Sequence, residues 1–308
     1  MQIRTDLAME SRALAPDLTG VTTQKRKWGN IEEIRVVIQT EAASRALEKP
    51  KGTYITLYLR QLACAPGADR QAMSRALARA VRPMLPPEGE ILVIGLGNRR
   101  MTADALGSAV TDQLLVTRHL KQGAPDALIN RMRSVCSLTP GVLGVTGMES
   151  AEVVKGIVER IHPAAIIAID ALAARESSRI CTTIQITDTG IRPGSGVGNH
   201  RTGLAMDTLG VPVLAIGVPM VVYASLIARD ALSLLIQDMG MPEEEHAQAI
   251  DALVEKVTRQ GLGELVVTPR EVDEWVGRVA RIIADGLNIA LHPGLNEEEI
   301  QWLSHDEA

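Results

Sequence analysis

The middle of the chain alternates short apolar runs with segments whose apolar residues recur at helical spacing. The run at 91–94 predicts a buried strand, and the turn signal GLGN follows it at 95–98. Between residues 106 and 114 the apolar side chains then recur along one helix face. A second apolar run, 164–169, predicts another buried strand that ends on Asp170. This alternation predicts an α/β fold with a largely parallel central sheet.

The same patterns predict the remaining elements around this core. Further strands are predicted at 31–40, 53–60, 134–138, 182–187 and 213–217. Helices are predicted at 69–81, 149–161, 222–238, 244–260, 270–287 and 297–303. Residues 1–30 are polar and show neither period, so we expect them to form an arm. We therefore expect peripheral strands and C-terminal helices around the central sheet.

Composition and charge narrow the class of protein. Hydrophobic residues make up 46% of the 308 residues, which is enough to bury a sizeable core. The net charge of −5 argues against a general nucleic-acid binder, which would carry a basic face. The three cysteines, Cys64, Cys136 and Cys181, are widely spaced and form no CxxC pair, as is typical of a reducing cytoplasm. No apolar run reaches the ~18 residues of a membrane span, so we expect no membrane insertion.

Two carboxylates follow the two central strands. Asp104 comes after the turn that ends the first strand, and Asp170 ends the second. Open α/β folds place their sites at the carboxyl edge of the sheet, so both acids are candidates for chemistry. Either acid alone is as readily explained as a helix cap. As a pair, one acid would keep its proton near neutrality while the ionised one activates water, which could hydrolyse a peptide bond without a metal.

Two glycine-rich motifs invite other interpretations. The GLGN turn lacks the third glycine of a dinucleotide-binding fingerprint, because Arg100 occupies that position. Ser195 lacks the flanking glycines of a nucleophile elbow, because Pro193 and Val197 stand there. The loop around this serine is either only flexible or a substrate loop whose backbone N–H groups face a substrate carbonyl. The candidate residues of such a substrate loop are Gly194, Ser195, Gly196 and Gly198.

Long motifs across the chain resemble the germination protease family of endospore-forming bacteria. They are RTDLA at 4–8, VIGLGN at 93–98, TADALG at 102–107, LLVTRHL at 114–120, PGVLGVTGMES at 140–150, AIIAIDALAAR at 165–175, TIQITDTGIRPGSGVGNHR at 183–201, LGVPVLAIGVP at 209–219, VTPREVDEWV at 267–276 and GLNIALHP at 286–293. The resemblance covers nearly the whole chain, and these motifs are long and specific.

The resemblance implies an atypical aspartic-type endopeptidase with a three-layer, phosphorylase/hydrolase-like α/β fold. The family's proposed catalytic pair corresponds to Asp104 and Asp170, the same acids that the strand pattern indicates. It also implies a zymogen that trims its own N-terminus, assembly as a homotetramer, and no metal or cofactor. The implied substrates are small acid-soluble spore proteins, which coat DNA in the spore core, a cytoplasmic compartment. The protease itself is expected to bind no nucleic acid.

The N-terminus is similar to the sites that the family cleaves. In TDLAME at 5–10, an acid preceded by Thr is followed by an apolar residue, Ala and, further on, a second acid. The resemblance therefore implies self-cleavage between Asp6 and Leu7, with residues 1–6 as the pro-segment and residues 7–308 as a single catalytic domain. Because the segment is polar and lacks a core pattern, we expect it to be mobile and accessible to a protease.

Two alternatives stay open from the sequence. The same acids could hold a divalent ion, as in a metal-assisted peptidase of the hydrogenase-maturation type. The chain could also be a non-catalytic interaction scaffold whose acids only cap helices. It departs from the family pattern at Tyr223, where an acid often follows the PxVV stretch.

Overall fold

A computed structural model describes residues 6–13, 15, 17–122, 126–192, 202–259 and 265–305. Its strands are β1 (Val21–Trp28), β2 (Ile31–Ile38), β3 (Gly52–Tyr58), β4 (Ile91–Gly95), β5 (Val135–Leu138), β6 (Ala165–Ala174), β7 (Thr183–Thr187), β8 (Val213–Tyr223) and β9 (Val266–Val267). Its helices are α1 (Ala8–Ala13), α2 (Glu41–Leu47), α3 (Gly67–Val81), α4 (Leu106–Thr111), α5 (Asp126–Ile129), α6 (Leu143–Thr146), α7 (Ser150–Ile161), α8 (Met206–Leu209), α9 (Ala224–Asp238), α10 (Glu243–Val257), α11 (Val272–Leu291) and α12 (Glu297–His305). Short 3-10 turns lie at Leu62–Cys64, Arg82–Met84, Thr102–Asp104, Arg118–Gln122 and Ser177–Arg179.

The strands form one mixed sheet in the order β1-β2-β3-β7-β8-β6-β4-β5, with β9 paired to the end of β8. Strands β5, β4, β6 and β8 run parallel to one another, and we call them the parallel half. Strands β7, β3, β2 and β1 continue the sheet through antiparallel pairs, and we call them the antiparallel half. The predicted α/β fold, with parallel central strands and further strands at the periphery, is confirmed.

Helices cover both faces of the sheet, which gives three layers. One face packs against α3, α4 and α11 in a core cluster that includes strands of both halves. On the other face, α7 covers the parallel half, whereas α1 and α2 cover part of the antiparallel half. All five residues of β4 are buried, because a continuous apolar run can face helices on both sides. The parallel strands are thus covered on both faces of the sheet.

Helix α7 shows how the local sequence sets an element of this cover. A capping box begins the helix, in which the Glu149 N–H donates to Glu152 Oε2 at 3.1 Å. The helix ends at His162, which has φ 47°, and Pro163 follows. Proline disfavours helical backbone in the residue before it, so the helix stops there. Its buried residues Val154 and Val158 then pack against β4 and β6.

Two expectations from the sequence are wrong. The described part of residues 1–30 is not an arm, because it contains α1 and β1. The pattern misses β1 because the strand lies at the edge of the sheet and is exposed from Thr22 to Trp28, so no apolar period marks it. Asp170 does not end its strand, because β6 continues to Ala174 alongside β8.

Candidate active site

Asp104 lies in the 3-10 turn Thr102–Asp104, after the glycine turn that ends β4. Gly97 has φ +97°, a conformation that favours glycine, and a Cβ on it would lie 2.0 Å from the Asp104 carbonyl oxygen. The Asn98 N–H donates to Asp104 Oδ2 at 2.7 Å. The GLGN turn therefore positions the Asp104 carboxylate. Glycine at position 97 permits both the sharp bend of this turn and its close approach to the Asp104 backbone.

The turn that carries Asp104 packs against the strand that carries Asp170. This 3-10 turn contacts both β6 and β8, and the Leu96 N–H donates to the Ile169 carbonyl oxygen at 2.8 Å. Gly107 permits the approach, because a Cβ on it would lie 2.6 Å from the same Ile169 oxygen. Since Ile169 directly precedes Asp170, the structure brings the segments of both predicted acids to one part of the sheet.

Asp170 is 6% exposed, and its Oδ1 accepts a hydrogen bond from the Ala171 N–H at 2.9 Å. Side chains alternate along a strand, so Asp170 shares the face of Ile166 and Ala168, which is the face covered by α7. β4 ends at Gly95, opposite the residue before Asp170. Relative to β4, Asp170 therefore lies beyond the strand end, although β6 itself continues.

A row of residues crosses the sheet from Asp170. Asp170 pairs with Gly217 of β8, and Gly217 pairs with Gln185 of β7. Paired residues project to the same face, so Asp170 and Gln185 lie on either side of Gly217, which has no side chain. The Leu172 side chain covers this backbone, since a Cβ on Gly217 would lie 2.5 Å from it. Gln185 is buried, and a buried amide needs hydrogen-bond partners.

The N-terminal segment supplies those partners. Gln185 Nε2 donates to the Asp6 carbonyl oxygen at 2.9 Å, and Gln185 Oε1 accepts from the Ala8 N–H at 2.7 Å. Lys49 Nζ also donates to the Asp6 carbonyl oxygen, at 3.2 Å. Leu7, between these contacts, is 0% exposed. The expectation of a mobile, accessible segment is therefore wrong from Asp6 onward, because its backbone hydrogen-bonds to the sheet and its apolar side chain is buried.

Two carboxylates of the same segment bind backbone amides at the end of β6. Asp6 Oδ2 accepts from the Ala173 N–H at 3.0 Å. The Glu10 carboxylate accepts from the N–H groups of Arg175 and Glu176, each at 3.1 Å. Glu10 is 2% exposed, and these charge-assisted hydrogen bonds offset the cost of burying it. The end of the strand that bears the predicted acid thus holds a peptide with two carboxylates.

Lys49 is the cation among these carboxylates. Burial of its ammonium group lowers the pKa of Lys49, while Asp6, Glu10 and Glu48 oppose the shift by favouring the charged form. The residue as a whole is partly exposed, and its Nζ contacts the Asp6 carbonyl oxygen. The direction of the shift shows that this desolvation outweighs the attraction of the three acids.

Sequence reasoning missed both Gln185 and Lys49. The available signal for Gln185 was an amide in the middle of the apolar strand TIQIT, since a polar residue at a buried position is informative. Lys49 carries no comparable signal, because its partner Asp6 lies 43 positions earlier in the chain. The predicted loop candidates fall outside the described residues: Gly194, Ser195, Gly196 and Gly198.

Metal binding and membrane insertion are two further properties on which the described part of the chain bears. Within it, no three His, Cys, Asp or Glu side chains are grouped so that they could hold a metal ion. Over the same residues, no helix combines the length and apolarity needed to cross a bilayer.

Comparisons with known proteins place this chain in a family. The profile of the germination protease family matches residues 2–262 and 239–304 of the chain. A germination protease of Caldanaerobacter subterraneus subsp. tengcongensis is 41% identical over 318 residues, which cover 98% of this chain and 98% of that protein. A germination protease of Bacillus cereus is 36% identical over 357 residues, which cover 98% of this chain and 97% of that protein.

A solved structure of the [NiFe] hydrogenase maturation protease HycI from Thermococcus kodakarensis KOD1 is also similar, at 18% identity and a TM-score of 0.35. The match covers 68% of this chain and 98% of that chain. A TM-score this low supports no conclusion about the site. The nearly full-length matches to the two relatives and to the family profile do support one: the chain belongs to the germination protease family and is a protease of spore germination.

Proposed function

We propose that the chain is an atypical aspartic-type endopeptidase that degrades small acid-soluble spore proteins during germination, with Asp104 and Asp170 as its general acid and base. The packing of the Asp104 turn against β6, next to Asp170, is the observation that carries this mechanism. Membership of the germination protease family supports the general activity, which is that of a peptidase. The resemblance of the long motifs supplies the substrate class.

The proposed reaction uses the two carboxyl groups as a pair. Two carboxylates that share a site resist simultaneous ionisation, so under this proposal one of them keeps its proton near neutrality. The ionised group takes a proton from water, and the water oxygen attacks the carbonyl carbon of the substrate. The protonated group donates its proton to the amide nitrogen as the C–N bond breaks. The products are a new carboxylate and a free amine, and the cycle needs no metal or cofactor.

The chain is also a self-processing zymogen under this proposal. The bond between Asp6 and Leu7 is the cleavage site, with residues 1–6 as the pro-segment and residues 7–308 as the catalytic domain. In support, two donors hold the Asp6 carbonyl oxygen on the face of the sheet that bears the proposed catalytic acid. Because Leu7 is buried, a second protease could reach this bond only after local opening, which favours cleavage by the chain's own site.

We extend this function to a homotetramer in the spore core. Helices α9 and α10 pack on each other, yet the pair leaves large apolar side chains exposed. These are Ile227, Leu234, Leu235, Met239, Leu253 and Val257. Exposed apolar residues in such number are typical of an assembly surface. Light scattering tests the extension, since Leu235→Glu should yield a smaller particle than the unaltered chain.

Incubation with a purified small acid-soluble spore protein, followed by mass mapping of the fragments, tests the function. We expect discrete internal cuts that persist in EDTA and disappear in the Asp104→Asn and Asp170→Asn variants. Loss of all cleavage in EDTA would instead indicate the metal-assisted mechanism. A folded chain that cuts no spore protein would show that the two acids serve only structural roles.

A further inference from the structure

The docked residues Asp6 to Glu10 show what kind of peptide this face of the protein can bind. Their hydrogen bonds to the rest of the protein use the segment's backbone or its two carboxylates. None of these contacts depends on covalent attachment to the chain. A separate peptide with the same arrangement of groups could therefore make them too.

The backbone contacts fix the position of the peptide. Gln185 bonds to the segment on both sides of Leu7, through the Asp6 carbonyl oxygen and the Ala8 N–H. One amide side chain thus holds the backbone at the point where the segment enters α1, since Ala8 is the first residue of that helix. Lys49 adds a positive charge at the same carbonyl oxygen. Two donors aimed at one carbonyl oxygen stabilise the negative charge that develops there when the carbonyl carbon is attacked.

The carboxylate contacts fix the sequence of the peptide. The N–H of Ala173 binds the first acid, and the N–H groups of Arg175 and Glu176 bind an acid four residues later. An uncharged side chain at either position would lose charge-assisted bonds in a partly dehydrated place. Between the acids, the apolar side chain of Leu7 is fully buried.

The residue after Leu7 meets a tight limit on size. Ala8, the first residue of α1, is 1% exposed and packs in the cluster of Ile34, Val36 and Tyr54. A larger side chain would have to displace these residues from a packed core. The cleft therefore accepts an acid, an apolar residue and a small residue in succession, with a second acid further on.

We infer that Lys49, Gln185 and the N–H groups at the end of β6 form the binding site for acidic peptide substrates. The two acid-binding places set specificity, and Lys49 and Gln185 hold the carbonyl oxygen of the bond to be cleaved. This site deepens the proposed function and rests on it in taking Asp6–Leu7 as the cleaved bond. The chain's own segment is its first occupant, so a substrate must displace that segment to bind.

Binding is best measured in a full-length chain that cannot cleave. The probe is a fluorescein-labelled peptide with the sequence of residues 2–13, followed by fluorescence anisotropy. The first host is the Asp104→Asn variant, and the second host adds Asp6→Asn and Glu10→Gln to weaken its own segment. We expect the peptide to bind the second host at least about 10-fold more tightly, because less of the site is occupied. A peptide with amides in place of both acids should bind the second host at least about 10-fold more weakly.

Matched variants of the second host test the two side chains. Lys49→Met and Gln185→Glu should each weaken binding of the acidic peptide about 10-fold, and Lys49→Arg should restore part of it. Lys51→Met is the control, because Lys51 lies two residues away and pairs with the exposed Glu41 at 2.5 Å. Thermal melting of each variant shows whether it is folded. The Lys49→Arg and Gln185→Glu replacements also keep the side chain close to its original volume.

Equal binding of the acidic and amide peptides, or equal effects of Lys49→Met and Lys51→Met, would overturn the inference. So would the absence of binding to both hosts. These outcomes are separable from failure of the two-acid mechanism, since no host needs to cleave. Conversely, Asp104→Asn and Asp170→Asn could abolish proteolysis while the acidic and amide peptides bind equally. That result would contradict only the assignment of the binding site and would leave the two-acid mechanism in place.

Discussion

The two halves of the sheet differ in the burial of their strands and in the groups that the strands position. In the parallel half, β4 is buried along its whole length and carries the turn to Asp104, while β6 carries Asp170. In the antiparallel half, β1 is exposed along nearly its whole length. The parallel half places backbones so close together that glycine is required at contact points such as Gly107. The antiparallel half instead provides the surface on which α1, α2 and the N-terminal segment rest.

This difference separates chemistry from recognition. The acids proposed to exchange protons come from the parallel half, whereas Gln185 comes from β7, where the antiparallel half begins. Lys49 lies in the connection between α2 and β3. The N-terminal segment spans the boundary, since it contacts β6 on one side and Gln185 on the other. Substitutions in the two halves should consequently have different kinds of effect, and four experiments can test that separation.

The largest effect is expected from the acids. Asp104→Asn and Asp170→Asn should each lower the rate of proteolysis by at least ~10²-fold, because the amide keeps the shape but cannot exchange a proton. Thermal melting should show that both variants remain folded. Asp112→Asn is the control, since Asp112 only forms an exposed pair with Arg99 at 2.7 Å and should leave activity unchanged. Near-normal turnover in either folded variant would contradict the two-acid mechanism.

The next effect concerns backbone packing in the parallel half. In Gly107→Ala the new Cβ would lie 2.4 Å from Leu96 backbone atoms, so the Asp104 turn must shift. We expect urea denaturation to show a loss of about 3 kcal/mol in the free energy of unfolding, with reduced activity. Gly277→Ala on α11 is the matched control, because no atom lies within 4 Å of its new Cβ. That helix position should gain up to ~1 kcal/mol. Equal stability of the two variants would show that the close approach is not required.

A smaller effect is expected from His292, which follows α11 and packs beneath the parallel half. Burial lowers the pKa of His292 from 6.5 to about 4, and its Nε2 contacts the Leu115 carbonyl oxygen at 3.2 Å. Because the folded pKa is the lower one, the unfolded chain binds more protons between these values, so stability falls as pH drops below about 6.5. Between about pH 7 and about pH 5 this group should cost about 2 kcal/mol.

Denaturation at a series of pH values measures that cost. His292→Gln should flatten the dependence of the free energy of unfolding on pH in this window, because glutamine does not titrate. His246→Gln serves as the comparison variant, since His246 lies on α10 and its Nδ1 contacts the Pro242 carbonyl oxygen at 3.0 Å. A slope that is the same in all three proteins would contradict the assignment to His292.

The smallest effect is expected at the outer edge. Thr23→Ala in β1 should change the free energy of unfolding by less than about 0.5 kcal/mol, because the side chain is exposed on the edge strand. Chemical denaturation with the unaltered chain alongside measures it. A loss comparable to that of Gly107→Ala would remove the distinction between the two halves.

The sequence predicted the parallel half well because its signals are local. The apolar run at 91–94 and the glycines after it belong to one short stretch, and they locate Asp104 without any long-range information. The apolar run before Asp170 works in the same way, although the strand's extension to Ala174 depends on its pairing with β8. The peptide-binding contacts are different, because Gln185 meets a partner 179 positions away. No periodicity along the chain can report such a contact.

β1 was missed for a related reason, since its identity as a strand comes from its neighbour. It pairs residue by residue with β2 from Val21 to Trp28, although its own side chains have no buried face to generate a pattern. A polar stretch without periodicity favours the interpretation as an arm, which is why we expected one here. Long-range pairing overrides such weak local preferences.

The exposed edge of β1 also bears on how the protein behaves at high concentration. Among the residues that the structure describes, β1 pairs with β2 alone, which leaves a row of backbone groups able to recruit another strand. Three consecutive cations, Lys25, Arg26 and Lys27, occupy this edge. Two copies that met edge to edge would bring these charges together and repel. The strand that contributes little to the core therefore protects the protein from fibril-like aggregation, a task for which its run of polar and charged residues from Thr22 to Lys27 is an advantage.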